Sequence, residues 1–256
     1  MKKTFIIALI FSIIVSVTAC AGKMPPSTVK SADDLNGRNI GVLQNSSAVV
    51  YAADYGTLHN YTTAESMLAD VKGGALDCAV MDEGAAKVFV PKARGLKILS
   101  KPLMEADFRF AIAKENPDLT KAVNAALVTL SENGTLEKII AGYITGDSYR
   151  YASPDNIDLS RGTLTLAVDG TFPPYSYNDA GGNTLGLDVD IARAVCDILQ
   201  VQMKISVADK SSLITLVEYG KADFALGGLT DNEANAALVE FSDPYVTCTQ
   251  VIVTRK

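Results

Sequence analysis

The 256-residue chain has no tryptophan, one histidine and four cysteines, and each scarcity removes a class of chemistry. His59 has no cysteine or second histidine at ligand spacing, so it is read as structural or exposed rather than as a metal ligand. Cys78, Cys196 and Cys248 stand singly in LDCAV, AVCDI and VTCTQ, and no CxxC occurs. Their apolar flanks mark small buried side chains instead of nucleophiles or metal ligands. No catalytic residue, metal or cofactor is assigned. Lysine and arginine nowhere gather into a run, and a net charge of −6 with a pI of 4.9 argues against nucleic acid as a partner.

What is present begins at the N-terminus. Lys2 and Lys3 precede an apolar run from Phe5 to Val17, too short for a comfortable membrane span, and Val17-Thr18-Ala19-Cys20 follows. This resembles a lipoprotein signal peptide and lipobox over residues 1–20, with Cys20 the lipidation site. Residues 21–30, with Pro25, Pro26 and Ser27, read as a tether.

From Asn39 onward short β-type runs alternate with helical ones. NIGVL, LDCAVM, KILSK and RFAIAK read as strands, and AVVYAADY and SMLADV as helices. Asn116-Pro117 is a helix start, with a capping side chain and proline at the first helical position. Leu119, Val123, Ala126, Leu127 and Leu130 follow at helical spacing, and Leu136, Ile139, Ile140 and Tyr143 mark a second helix. Residues 145–161 are polar and contain Gly and Pro, the signature of a linker. After it the alternation resumes. An internal echo links the halves: VKGGALDCAVM (71–81) and VEYGKADFALG (217–227) each place a glycine three residues before an aspartate that opens an apolar strand.

Four loops follow strands: QNSSA at 44–48, MDEG at 81–84, DGTFPPY at 169–175 and GGLTDNEAN at 227–235. In open α/β sheets ligands collect outside the carboxyl ends of strands, so four such loops on two lobes predict a cleft between them.

GTLTLAVDGTFPPYSYNDAGGNTLGLDVDIARAV, with GLDVDIA at its acid pair and EFSDPY at 240–245, resembles the first half of a family 3 extracellular solute-binding protein. Residues 34–143, from DLNGRNIGVLQNSS to NAALVTLSENGTLEKIIAGYI, resemble the second half. The resemblance implies an α/β fold with two Rossmann-like lobes and a ligand cleft between them, the type II periplasmic binding protein fold. The family runs from the DGTFPPY-like loop through FSDPY into the LNGRNIGV-like strand. Here that order is reversed, which implies a circular permutation, with lobes at 31–112 and 113–256 and residues 145–161 bridging the family's own termini. The new ends are expected at the hinge, with only the segment near 107–115 crossing covalently between lobes.

Carried over residue by residue, Asp169 and Phe172 supply a polar contact and an aromatic wall, and Gly228 and Thr230 a backbone and a hydroxyl contact. In the other lobe Asn45, Ser46 and Ser47 form a carboxylate-holding turn, and Asp82 takes an α-ammonium; the lesser alternative is a cap or surface acid, since an Asp just after a strand often caps. Two positions depart from the family. Asn235 stands where the family places an arginine for the α-carboxylate, and Lys210 where it often has an aromatic lid. Either Lys210 or Arg109 replaces the missing charge, or the ligand lacks that carboxylate, or Lys210 is merely solvated.

The resemblance thus implies a monomeric, extracytoplasmic, lipid-anchored receptor of an ABC importer. It would sit in the periplasm or on the outer face of the cell membrane, bind a small polar, amino-acid-like or amine-bearing solute by lobe closure, and dock on permease subunits. An enzyme is not expected. The alternatives are a dehydratase-like cleft enzyme of the same fold and a ligand-free sensory or structural relative.

Overall fold

The computed structural model describes residues 24–44, 46–145 and 147–256; the expected signal segment, Cys20 and Asn45 lie outside them. The chain first lays down β1 (Asn39–Leu43), α1 (Ser47–Ala52), β2 (Thr57–Tyr61), α2 (Ala64–Gly73), β3 (Cys78–Asp82), α3 (Glu83–Phe89) and β4 (Leu96–Ile98). Strand β5 (Met104–Ile112) then leads to α4 (Pro117–Glu132) and α5 (Thr135–Ile144). Beyond the linker come β6 (Thr163–Val168), β7 (Thr171–Phe172), β8 (Ser176–Asn178), β9 (Thr184–Leu185), α6 (Leu187–Leu199) and β10 (Gln202–Val207). The chain closes with α7 (Leu213–Glu218), β11 (Phe224–Ala225), α8 (Glu233–Leu238) and β12 (Glu240–Arg255).

Nine strands form one sheet in the order β10-β6-β11-β5-β12-β3-β1-β2, with β4 added alongside β12. Its two ends repeat one pattern. β2, β1 and β3 are parallel at one end, and β10, β6 and β11 are parallel at the other. The internal echo has a matching structural counterpart in each half. Gly74 and Gly220 both adopt positive φ after a helix. Three residues on, the carboxylate of Asp77 accepts from Asn39 N–H at 2.9 Å, and that of Asp223 accepts from Thr165 N–H at 2.6 Å. Each aspartate therefore pins the start of its half's first strand to the turn before its third.

The antiparallel pair β5 and β12 joins the halves. Strand β12 pairs with β5 from Glu240↔Ile112 to Gln250↔Met104, then continues alongside β3 from Gln250↔Asp82 to Val253↔Ala79. Pro244 cannot donate to the ladder, and the register shifts on either side of it. The irregularity turns Ser242 inward, where its hydroxyl accepts from Phe110 N–H at 3.0 Å. Phe110, fully buried, packs on Phe224 and Tyr245 at centroid separations of 5.5 Å. Truncating such a ring costs about 3–5 kcal/mol, so this aromatic knot fixes the joint between halves.

Three expectations are corrected. The C-terminal strand does not stop at the crossover: β12 passes into the half that contains β3, so both β5 and β12 cross covalently. The C-terminal residues consequently meet the first described residues inside that half, beyond the hinge. Arg255 donates from its guanidinium to Val71 O at 2.5 Å, Leu76 O at 2.8 Å and Pro25 O at 3.2 Å. Nor are residues 24–30 a free tether, because Val29 is buried against Leu35, Ile40 and Ile252 and the Ser27 hydroxyl donates to Asp77 O. The segment after α5, polar by composition, is held by its tyrosines. Tyr151 donates its N–H to Asp190 at 3.0 Å and its hydroxyl to Asp197 at 2.9 Å, and Tyr143 donates to the same Asp190 oxygen at 2.9 Å. Helices α4 and α5, which precede the linker, thereby pack on α6, which follows it.

Candidate functional site

The loop DGTFPPY leaves β6, and the glycine-rich stretch after it folds into the small antiparallel sheet β7-β8-β9. Asp169 accepts from both N–H (2.9 Å) and O–H (2.7 Å) of Thr171, which sets the turn. Phe172 and Tyr175 are then brought into a stack, with centroids 4.8 Å apart at 24°, and Phe108 of β5 meets Tyr175 edge-on at 5.3 Å. These three rings wall a site at the seam between halves.

From the opposite side comes Asp82, the last residue of β3 and 5% exposed. Its Oδ1 accepts from Gly84 N–H at 2.9 Å and Ala85 N–H at 3.4 Å, capping α3, and also from the Tyr175 hydroxyl. Oδ2 receives Gln250 Nε2 at 3.5 Å. The capping role is therefore present in the structure, and the carboxylate is already engaged by a phenol from the other half. Burial pushes the Asp82 carboxyl up, against the pull of its hydrogen bonds and of Lys210. Gly84 allows the approach, since a Cβ there would lie 2.8 Å from the Tyr175 hydroxyl oxygen. The same phenol lies 3.1 Å from Cys248 Sγ, whose thiol burial holds well above its ordinary range and hence protonated.

Lys210 comes from the opening of the 3-10 turn before α7, and its ammonium stands 4.4 Å from the Phe172 ring centroid. Gly228 makes the room: with φ +68°, a Cβ would fall 2.9 Å from Phe172 Cε1 and 3.2 Å from Lys210 Nζ. Burial drives the Lys210 pKa down to about 8, while Asp169, Asp188 and Asp82 oppose the shift. Asp188, from the GLDVDIA acid pair, is fully buried. One of its oxygens accepts from Tyr245 O–H at 2.8 Å, and the other has no partner among the described residues.

Of the remaining expected residues, Arg109, Thr230 and Asn235 lie at the loop that carries Asp231, and Ser46 and Ser47 lie at the start of α1. Arg109 places Nε 3.4 Å from Asp231 Oδ2 and Nη2 3.5 Å from Asp107 Oδ2, and donates from Nη1 to Ser242 O at 3.0 Å. Its charge is thus committed to neighbouring acids and a carbonyl. Asn235 donates from Nδ2 to Thr230 O at 3.1 Å and from its N–H to Asn232, closing its own loop. Ser46 returns its hydroxyl to Leu43 O at 2.6 Å ahead of α1, which Ser47 opens. Burial, with the charges of Asp231 and Asp107 behind it, raises the pKa of Tyr51 on α1.

Phe172, Gly228, Lys210 and, through Tyr175, Asp82 are therefore brought together, whereas Arg109, Thr230 and Asn235 gather one loop away. Sequence reasoning missed Phe108, Tyr175, Asp188, Tyr245, Cys248 and Gln250 as members of the site. Tyr175 was visible within DGTFPPY, but only the register of β12 against β3 brings Gln250 beside Asp82. A groove of about 370 Å³ opens beside the rings, lined from one half by Leu43, Thr63 and Phe89 and from the other by Thr171, Phe172 and Tyr177.

An α/β fold of two matching parallel half-sheets, joined by an antiparallel pair and meeting at an aromatic and acidic seam, is that of a type II periplasmic binding protein. Residues 164–256 match the family of bacterial extracellular solute-binding proteins, family 3, and over these residues the chain belongs to that family. It is 30% identical over 83 residues to the arginine-binding protein ArgT of Corynebacterium glutamicum, covering 32% of this chain and 27% of that one. It is 30% identical over 93 residues to the arginine-binding extracellular protein ArtP of Bacillus subtilis, covering 36% of each. Among solved structures, the arginine-bound form of domain 1 from TmArgBP is 33% identical, with 38% of this chain and 82% of that one covered and a TM-score of 0.33. The chain spans about a third of the length of the curated relatives it matches. No helix among the described residues is long and apolar enough to cross a membrane.

Proposed function

We propose that this protein is a lipid-anchored extracytoplasmic receptor, tethered through Cys20, that binds a small amine-bearing solute between its halves and delivers it to an ABC importer. The observation that carries this reading is the composition of the seam: the acidic side chains Asp169, Asp188 and Asp82 attract one ammonium from beyond 4.0 Å, beside the stacked faces of Phe172 and Tyr175. Acids with aromatic faces favour a cation. With Asn235 bonded to its own loop and Arg109 committed to Asp231 and Asp107, neither stands free to hold an α-carboxylate. The relatives named for arginine support the same solute class. The exchanged order of the two halves belongs to the same proposal, and the hydrogen bond from Arg255 to Pro25 O is consistent with it.

Binding would shift the population towards the closed form, with β5 and β12 as the flexing pair. A thermal-shift panel of amines, amino acids and amine-free carboxylates tests the reading. A solute at 100 times its Kd stabilises the folded state by about 2.7 kcal/mol. Stabilisation by amines is the expected outcome, and stabilisation by amine-free carboxylates alone would refute it.

A further inference from the structure

We propose that Lys210 is an internal occupant of the receptor's cation subsite, so that a cationic solute enters by displacing the chain's own ammonium from the face of Phe172. The inference rests on the receptor reading above and concerns the same site.

Three observations converge on it. The Lys210 ammonium is stacked 4.4 Å from the Phe172 centroid, the geometry in which an aromatic ring holds a free cation. The backbone is shaped around it, because Gly228 at φ +68° removes the one Cβ that would crowd both the ring and Nζ. The ammonium is also poorly compensated. No carboxylate lies within 4.0 Å of it among the described residues, although Asp169, Asp188 and Asp82 attract it from farther away. Burial accordingly favours its neutral form. A cation held by a ring and distant acids is a weak occupant.

Lysine is suited to leave. Lys210 is a partly exposed residue on a short 3-10 turn, so its head can swing to water without unfolding an element. A planar guanidinium stacks on a ring better than an ammonium and is more weakly hydrated, so it should compete well for the vacated face. The solute class is therefore a guanidinium or amine whose cationic head takes the place of Nζ.

The test compares wild type, Lys210→Ala and Lys210→Arg by calorimetric titration with two probes: L-arginine, and agmatine, which carries the same guanidinium without a carboxylate. Expected are at least tenfold tighter binding of both probes by Lys210→Ala and affinity no tighter than wild type in Lys210→Arg, which keeps over the ring a cation that stacks at least as well. Circular dichroism of all three chains checks that each is folded. Weaker arginine binding with unchanged agmatine binding in Lys210→Ala would make Lys210 a carboxylate anchor and overturn the proposal. Equal affinities in wild type and Lys210→Ala would overturn it too, while leaving the receptor reading intact. Absence of binding by every chain would overturn the cation subsite, and the receptor reading would then stand or fall on the wider solute panel.

Discussion

Replacing Asp188 with asparagine should change how stability depends on pH more than it changes stability at any one pH. The carboxyl is fully buried, with Tyr245 on one oxygen and nothing on the other, and burial pushes its pKa up to about 7 from 3.8. Between those values the folded chain holds a proton that the unfolded chain has lost. Wild-type stability from this group is therefore complete below about pH 4 and is lost as pH rises towards 7. The span is roughly three pH units at about 1.4 kcal/mol each, or about 4 kcal/mol. Asparagine keeps an acceptor for Tyr245 but does not titrate. Its unpartnered amide costs about 1–3 kcal/mol at every pH, so the sign of the difference at one pH is not diagnostic. Urea denaturation followed by circular dichroism at pH 4.5, 6 and 8 isolates the diagnostic part. The variant-minus-wild-type difference should move by about 3 kcal/mol in favour of the variant across that range, the remaining ~1 kcal/mol of the span lying below pH 4.5. A difference that stays constant would refute the assignment of a proton to buried Asp188.

Two further perturbations probe the seam and the chain ends. Tyr175→Phe removes the hydroxyl that one half donates to Asp82 of the other, and should lower stability by about 1.5–3 kcal/mol as read by urea denaturation, since the lost bond is to a buried carboxylate. An unchanged midpoint would show that the halves do not depend on that bond. Arg255→Met abandons the carbonyls of Val71, Leu76 and Pro25; a loss of about 1–3 kcal/mol is expected, with faster proteolysis near residues 25–30. Wild-type protease resistance would contradict the docking of the N-terminal segment.

Local chemistry was legible wherever a residue's role is set by its neighbours in sequence. Asn116 caps α4 with Pro117 in its first turn, as the Asn-Pro pair predicts, and accepts from Leu119 N–H at 3.3 Å. The twin glycine-to-aspartate spacings proved to be twin turn-to-strand locks. Roles set by long-range register were not legible. Nothing in YVTCTQVIVTRK says that the strand runs past the hinge to lie against β3, so the crossing was misjudged and Gln250 and Cys248 were missed. At SYRYAS composition marks a linker, but no local pattern reveals that Tyr151 reaches acids of α6. Asp82 shows the limit most clearly: its sequence context allows both a cap and a ligand contact, and only the approach of Tyr175 from the distant half shows what engages the carboxylate here.

The proposal that the two halves stand in exchanged order is tested most directly by building the other order. A chain reading 162–256 followed by 24–144 would join ends that lie beside each other at Arg255 and Pro25 and leave both crossing strands unbroken. It should unfold in a single cooperative transition, with a far-ultraviolet spectrum like that of the parent and the same solute preference. A reordered chain that stays unfolded, or melts as two independent halves, would contradict the account.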